Sequence, residues 1–296
     1  MQDIKIETFI TVCEYQNFTK ASDRLGLTQP AVSRQMKSLE DYYGVPLFHF
    51  EGKKFFLTQA GKTLYHFAKN MQNDEMKLKK QLKEPAVFPL HLGSTPTPGE
   101  FLLPNILSSY LKKYPTPNVS LIIQNTEFLL EQLNNGKIDL AIVEGNFPKK
   151  EYEYVLFSNQ NYLPICAFHQ IFPETKSQIP IENLLSQTLI IREPGSGNRE
   201  ILEYSLKRQN LSLSDFSSII ETNHIQVQKS LVQQGCGIAF LFEAAIEAEN
   251  NFQKIPVFGF PLQHEFNIIW RKNSFFQETY QQLAQYFQNQ LQKKSS

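Results

Sequence analysis

The hydrophobic pattern changes period once along the chain. Up to about residue 83, apolar side chains recur every three or four positions, as amphipathic helices require; beyond that they come as short contiguous runs between helical stretches. In residues 4–15, Ile4, Phe9, Val12 and Cys13 suit one buried helical face. A short helix is predicted over 20–25, with Thr19 as its N-cap and Gly26 as its stop, because glycine tolerates the left-handed backbone of a tight turn. A longer helix over 29–43 starts at the cap Thr28 and carries Pro30 in its first turn, where a missing N–H costs nothing. Val32, Met36, Leu39 and Tyr43 form its apolar stripe, with Pro30, Ser33, Arg34 and Lys37 on the opposite side.

A short helix, a glycine-bearing turn and a longer amphipathic helix with small polar and basic residues outward make a helix-turn-helix pattern. Side chains such as Gln29 and Ser33 can hydrogen-bond base edges or phosphates, and Arg34 can pair with guanine or phosphate, so the outer face fits a major groove. The competing reading is a helical hairpin with a solvated face. Residues 45–48 and 55–57 then predict a β-hairpin, a wing with Lys53 and Lys54 at its tip beside Gly52. Thr58 caps a long helix over 59–83, in which Leu64, Ala68, Met71, Leu78 and Leu82 keep a four-and-three spacing interrupted by Glu75. That seam of about three heptads suits a dimer, the alternative being a helix packed on its own domain.

The stretch 83–89 holds Pro85 and Pro89 and is expected to be a hinge. Afterwards strand signals at 90–93, 119–124 and 138–143 alternate with helix signals at 101–113 and 128–134. The rhythm returns with strands near 163–168, 189–191, 217–221, 237–241 and 254–257. Such alternation predicts parallel sheets with helices on both faces, arranged as two lobes around a cleft. Ligands in such folds sit at strand C-termini and helix N-termini. Two loops meet that requirement: Ser94, Thr95 and Thr97 after the first strand, and the turn from Arg192 to Arg199, with Gly195, Ser196, Gly197 and Asn198, opening the helix over 200–208. Unpaired N–H groups at a helix start, assisted by Arg192 or Arg199, make an anion site; each loop taken alone reads more readily as a capped turn, and the two facing one cleft favour a site.

At 296 residues the chain has room for about two domains, and its 41% hydrophobic content excludes a disordered chain. No apolar run reaches the roughly 20 residues of a membrane helix, and the first residues, with Asp3 and Glu7, lack the apolar core of a secretory signal, so a cytoplasmic protein is expected. Cys13, Cys166 and Cys236 are widely spaced and the six histidines scattered, which predicts mostly buried thiols, no metal and no cofactor. The net charge is zero; residues 1–58 carry seven basic and seven acidic side chains, and 59–84 six and three. DNA affinity therefore has to come from where charges point and from dimerisation, not from a basic domain.

The order and spacing of Phe18-Thr19, Ala21, Leu25, Gln29-Pro30-Ala31-Val32-Ser33, Leu39-Glu40, Gly44, Leu47-Phe48, Leu57-Thr58, Ala60 and Gly61 resemble the DNA-binding domain of LysR-type transcriptional regulators. More weakly, Gly93-Ser94-Thr95, Leu103-Pro104, Tyr114-Pro115, 136–145 and 235–239 look like their effector domain, of the kind found in members governing sulfur or carbon assimilation. The resemblance implies an α/β protein: a winged helix-turn-helix over 1–58, a dimerising linker helix over 59–84, and a bilobed periplasmic-binding-protein-like effector domain over 85–296. Lobe I would comprise about 89–161 and 265–296, and lobe II about 162–264. It implies double-stranded promoter DNA with interrupted inverted repeats as partner, a homodimer commonly doubled to a homotetramer, and a small, anionic effector between the lobes.

By position, DNA contacts would fall on Thr19, Thr28, Gln29, Pro30, Ser33, Arg34, Lys37, Lys53 and Lys54. Effector contacts would fall on Ser94, Thr95, Thr97, Arg192, Gly195, Ser196, Gly197, Asn198 and His224. The chain departs from the family at His49-Phe50, where an acidic residue and Arg are usual, and Phe242 stands where proline is common. Two rival classes remain in view. An enzyme is disfavoured because Gly195-Ser196-Gly197 is no nucleophile elbow and no P-loop or dinucleotide fingerprint occurs. A solute-binding protein would leave the first 83 residues without a role.

Overall fold

The computed structural model describes residues 4–52, 54–83, 89–114, 118–169, 178–247, 249 and 251–295. The chain divides into two compact units, one spanning Met1–Ala86 and the other most of the remainder. The expected hinge falls largely outside the described residues.

In the first unit α1 (Ile4–Tyr15), α2 (Phe18–Leu25) and α3 (Gln29–Tyr43) pack around Phe9, Val12, Ala21, Val32, Met36 and Leu39, all essentially buried. Two expected stripe members lie outside this core: Ile4 and Tyr43, each at a helix end, are 67% and 44% exposed. Asn17, not Thr19, caps α2; its side chain accepts from the N–H groups of Thr19 and Lys20, a contact worth about 1 kcal/mol. Thr28 does occupy the N-cap of α3, but its hydroxyl makes no capping bond. Gly26, at φ +66°, closes α2 in the left-handed conformation.

The wing pairs β1 (Phe48–Glu51) with β2 (Lys54–Leu57), so its first strand begins where the predicted one ended. The cause is an aromatic cluster: Phe48 sits edge-on to Phe9, Phe18 and Phe55, which anchors the strand start in the core. Thr58 then caps α4 (Gln59–Lys83), accepting from Gly61 N–H at 3.0 Å. On α4, Leu64 joins the first unit's core and Ala68 is buried, whereas Met71, Leu78 and Leu82 are 52%, 37% and 72% exposed.

The second unit differs from two parallel-sheeted halves. Strands β3 (Leu90–Ser94), β4 (Val119–Ile123) and β5 (Leu140–Val143) are mutually parallel as expected. Two long antiparallel strands, β6 (Tyr152–Ala167) and β11 (Leu262–Arg271), join them in one seven-stranded sheet of order β10-β6-β11-β5-β3-β4, with β10 (Phe252–Lys254) at one edge and β9 (Ala239–Phe242) also paired to β6. Only the second half of β6 was expected and β11 was not, because 152–161 and 262–267 mix polar with apolar residues instead of forming an apolar run. Beside them β7 (Thr188–Arg192) pairs in parallel with β8 (Ser218–Thr222) and bridges Ile238. The helices are α5 (Leu103–Lys113), after a π-helical turn at Pro98–Leu102, then α6 (Thr126–Asn134), α7 (Gly197–Arg208), α8 (Ile225–Gln233) and α9 (Gln277–Ser295). One lobe thus gathers around β3–β5 and the other around β7–β9, with β6 and β11 running through both.

Candidate functional site

The first candidate site is the outer face of α2–α3. Burial of Val32, Met36 and Leu39 fixes the roll of α3, and the opposite side carries the polar set outward. Thr19, Thr28, Gln29, Pro30, Arg34 and Lys37 are exposed and Ser33 is half-buried. Gln29 donates to the Ser33 hydroxyl at 3.0 Å, and Arg34 bonds weakly back to Pro30 O at 3.3 Å, leaving most of its donors outward. Lys37 pairs with Asp41 at 3.5 Å, with both side chains mostly exposed, an arrangement worth little in water and easily exchanged for a phosphate. Lys54 is exposed on the wing, and Lys53 lies outside the described residues. Glu40 ties the recognition helix to the wing by accepting the Leu47 N–H at 2.7 Å. In the wing, the His49 ring stacks on Phe56 at 5.4 Å, and Phe50 is 64% exposed.

The second candidate site lies between the lobes of the second unit. From the first lobe, the C-terminal ends of β3 and β5 bring Ser94, Thr95, Thr97 and Glu144 together, all buried. Thr95 N–H donates to Ile142 O at 2.9 Å, and Thr95 Oγ1 accepts from Glu144 N–H at 3.2 Å, which fixes the two strand ends. From the second lobe, β7 ends in Arg192, and the turn through Gly195 (φ +81°) leads into α7. Ser196 and Asn198 are buried, and Ser196 N-caps α7 without a side-chain bond, so the helix's first N–H groups lack an intrahelical acceptor. The Arg192 guanidinium is buried and forks onto Glu193 at 2.8 and 3.1 Å. Arg199 binds Glu203 and Glu221, and its Nη1 also donates to Arg192 O at 3.2 Å. His224 is exposed at the N-cap of α8, apart from the buried group.

Sequence reasoning missed three residues here. Glu144 is 1% exposed, and burial pushes its carboxyl up to about 7, against the nearby Thr97 and Thr95 hydroxyls and Arg192, which favour the charged form. Tyr162, from the long β6, is buried and donates to Asn198 O at 2.9 Å. Thr126, at the start of α6, abuts Gly145. The signal for Glu144 was available: a charged residue directly after the fully apolar run 140–143.

Two family descriptions cover nearly the whole chain: the bacterial regulatory helix-turn-helix protein of the lysR family matches residues 5–62, and the LysR substrate binding domain matches residues 88–292. The chain belongs to the LysR family. It is a DNA-binding transcriptional regulator with an effector-binding domain, and its relatives are regulators rather than enzymes. It is 32% identical over 276 residues to the HTH-type transcriptional activator CmpR of Synechocystis sp., covering 91% of this chain and 89% of that one. In fold it resembles a hydrogen-peroxide-bound OxyR cysteine mutant of Corynebacterium glutamicum, at TM-score 0.61 and 22% identity over 98% of this chain and 92% of that one. It also resembles the regulatory domain of CcmR from Synechocystis PCC6803, solved in complex with 2-PG, at TM-score 0.61 and 23% identity over 68% of this chain and 96% of that one. Among the described residues no helix is long and apolar enough to cross a membrane, and no cluster of three or more His, Cys, Asp or Glu side chains suits a metal ion.

Proposed function

We propose that this LysR-family chain is a cytoplasmic homodimer, doubled to a tetramer on promoter DNA, whose DNA binding responds to a small anion held between the lobes of residues 89–295. The observation that carries the DNA-binding part is the roll of α3: with Val32, Met36 and Leu39 buried, Gln29, Arg34 and Lys37 project together, with Thr28 and Pro30 at the helix start. A helix presented in this way inserts its N-terminal residues into a major groove, while Thr19 and Lys54 lie at the flanks to meet phosphates. Dimerisation is supported by the apolar side chains Met71, Leu78 and Leu82 that α4 leaves exposed in a single chain. For the effector, the buried polar ends of β3 and β5 opposite the open N-terminus of α7 favour an anion, with Ser94, Thr95, Thr97, Arg192 and 195–198 as contacts. His224, exposed, contributes only if the effector extends to the cleft mouth.

The test is fluorescence anisotropy with duplexes from upstream of the protein's own gene against scrambled duplexes at moderate salt. A sequence-preferred complex that weakens steeply with salt is expected; equal binding to both duplexes overturns the reading.

A further inference from the structure

Among the buried side-chain atoms of the second unit that lack a well-aligned hydrogen-bond partner are Thr97 Oγ1, Thr126 Oγ1, Glu144 Oε2 and Asn198 Nδ2, with the Thr97 hydroxyl beside the Glu144 carboxyl. They come from four separate elements yet converge on one place. A Cβ built on Gly145 would lie 2.7 Å from Thr126 Oγ1 and 3.0 Å from Gly197 Cα, and one on Gly197 would lie 3.2 Å from the carbonyl carbon of Glu144. Thr126, Glu144 and the Gly197-Asn198 start of α7 are therefore neighbours. Native interiors satisfy nearly all buried polar groups, and each orphan costs roughly 1–3 kcal/mol, so the clustering of four at one place points to a site for a polar ligand.

The chemistry of the four atoms restricts what fills it. Asn198 Nδ2 and the unpaired N–H groups of α7 are donors and ask for an anion, while Thr97 and Thr126 adapt to either role. Glu144 Oε2, once the carboxyl is ionised, asks for a donor. A simple anion placed against the α7 start would face a second, ionised acid with only the two threonine hydroxyls beside it. The neighbouring cation offers limited relief, because Arg192 already forks onto Glu193. A molecule that brings its own hydroxyl or ammonium beside its anionic group satisfies both ends at once.

Building on the effector cleft proposed above, we infer that Glu144 is a specificity-determining residue that selects small acids carrying a hydroxyl or ammonium donor next to the anionic group, and rejects their donor-free isosteres. The anionic group seats on the α7 N-terminus and Asn198, and the donor reaches Glu144 Oε2. The hydroxy-acid and amino-acid forms share this chemistry, and a carboxamide at position 144 separates them: Gln still accepts from a hydroxyl but cannot balance an ammonium.

The full chain is titrated at pH 8, where Glu144 is ionised, by calorimetry and thermal shift with three matched sets: acetate, glycolate and glycine; propionate, lactate and alanine; phosphohydroxypropionate, phosphoglycerate and phosphoserine. In at least one set a donor-bearing member should bind about tenfold or more tightly than its donor-free isostere. Glu144→Gln should then keep that preference for a hydroxyl or lose it for an ammonium, and Glu144→Leu should abolish it in either case. Equal binding within every set, or a preference that survives Glu144→Leu, overturns the role of Glu144 while leaving the cleft as an anion site. No response to any member by the wild-type chain overturns both, and operator binding in the anisotropy assay still judges the DNA-binding reading separately.

Discussion

Gly145 and Gly197 meet backbone to backbone across the two lobes: a Cβ placed on Gly197 would lie 2.5 Å from the Cα of Gly145. Neither position tolerates a side chain while this contact is kept, so the glycine pair sets how closely the lobes approach around Glu144 and Asn198. Gly197→Ala should destabilise the domain by about 1–3 kcal/mol through overpacking against rigid backbone, lowering its melting temperature by several degrees. It should also weaken any effector-dependent stabilisation, which differential scanning fluorimetry with and without ligand reads directly. An unchanged melting temperature and response would mean that the two glycines are apart in solution.

Arg34 and Lys37 sit on the same exposed side of α3 but should act differently on DNA. Lys37, a mobile ammonium loosely paired with Asp41, suits a phosphate; Lys37→Ala should weaken all duplexes alike and lower the salt slope by about one. Arg34, with a planar fork near the helix start, suits a base edge; Arg34→Ala should cost about 1–3 kcal/mol on the preferred duplex and little on a scrambled one. Anisotropy titrations at several salt concentrations separate the two behaviours.

Much of the first unit was legible because short-range rules govern it. The stripe Val32-Met36-Leu39, the stop at Gly26 and the cap at Thr58 are local events that a helical period and a turn residue announce. The misplaced wing strand depended on Phe48 joining a cluster drawn from α1, α2 and β2, which no local pattern encodes, whereas the Asn17 cap is itself a local contact to Thr19 and Lys20. In the second unit the parallel strands β3, β4, β5, β7 and β8 were readable as apolar runs. The strands β6 and β11 were not, since their outer halves alternate polar and apolar residues and face solvent on one side. The cleft loops were anticipated from strand-to-helix transitions, but Tyr162 and Thr126 arrive there only through long-range packing.

The α4 seam yields a prediction about assembly. Leu64 and Ala68 are buried in the single chain, so of the expected seam Met71, Leu78 and Leu82 remain for a partner helix, with Phe67 and Met76 also exposed on α4. Leu78→Glu combined with Leu82→Glu places two charges where apolar contact is proposed, and sedimentation velocity should show the species falling to half its mass or less, with operator affinity dropping in step. An intact assembly would place the dimer contact elsewhere.

The buried carboxyl of Glu144 should leave a pH signature in stability. Burial, the largest influence, raises it from 4.5 to about 7, with the Thr97 and Thr95 hydroxyls and Arg192 acting in the opposite direction; Tyr162 lies nearby, and His264 bonds the Glu144 backbone. Between those two values the unfolded chain has lost the proton that the folded chain keeps, so the folded state binds more protons and stability falls as pH rises. The loss begins near the unfolded value and is complete above about 7. Glu144→Gln removes the ionisation while keeping the shape, and should stabilise the protein at pH 8 by roughly 3 kcal/mol relative to its effect at pH 4, the energy of a shift of this size. Urea denaturation of both proteins across that range measures the difference. Parallel stability profiles would show that Glu144 titrates normally and is therefore reached by water.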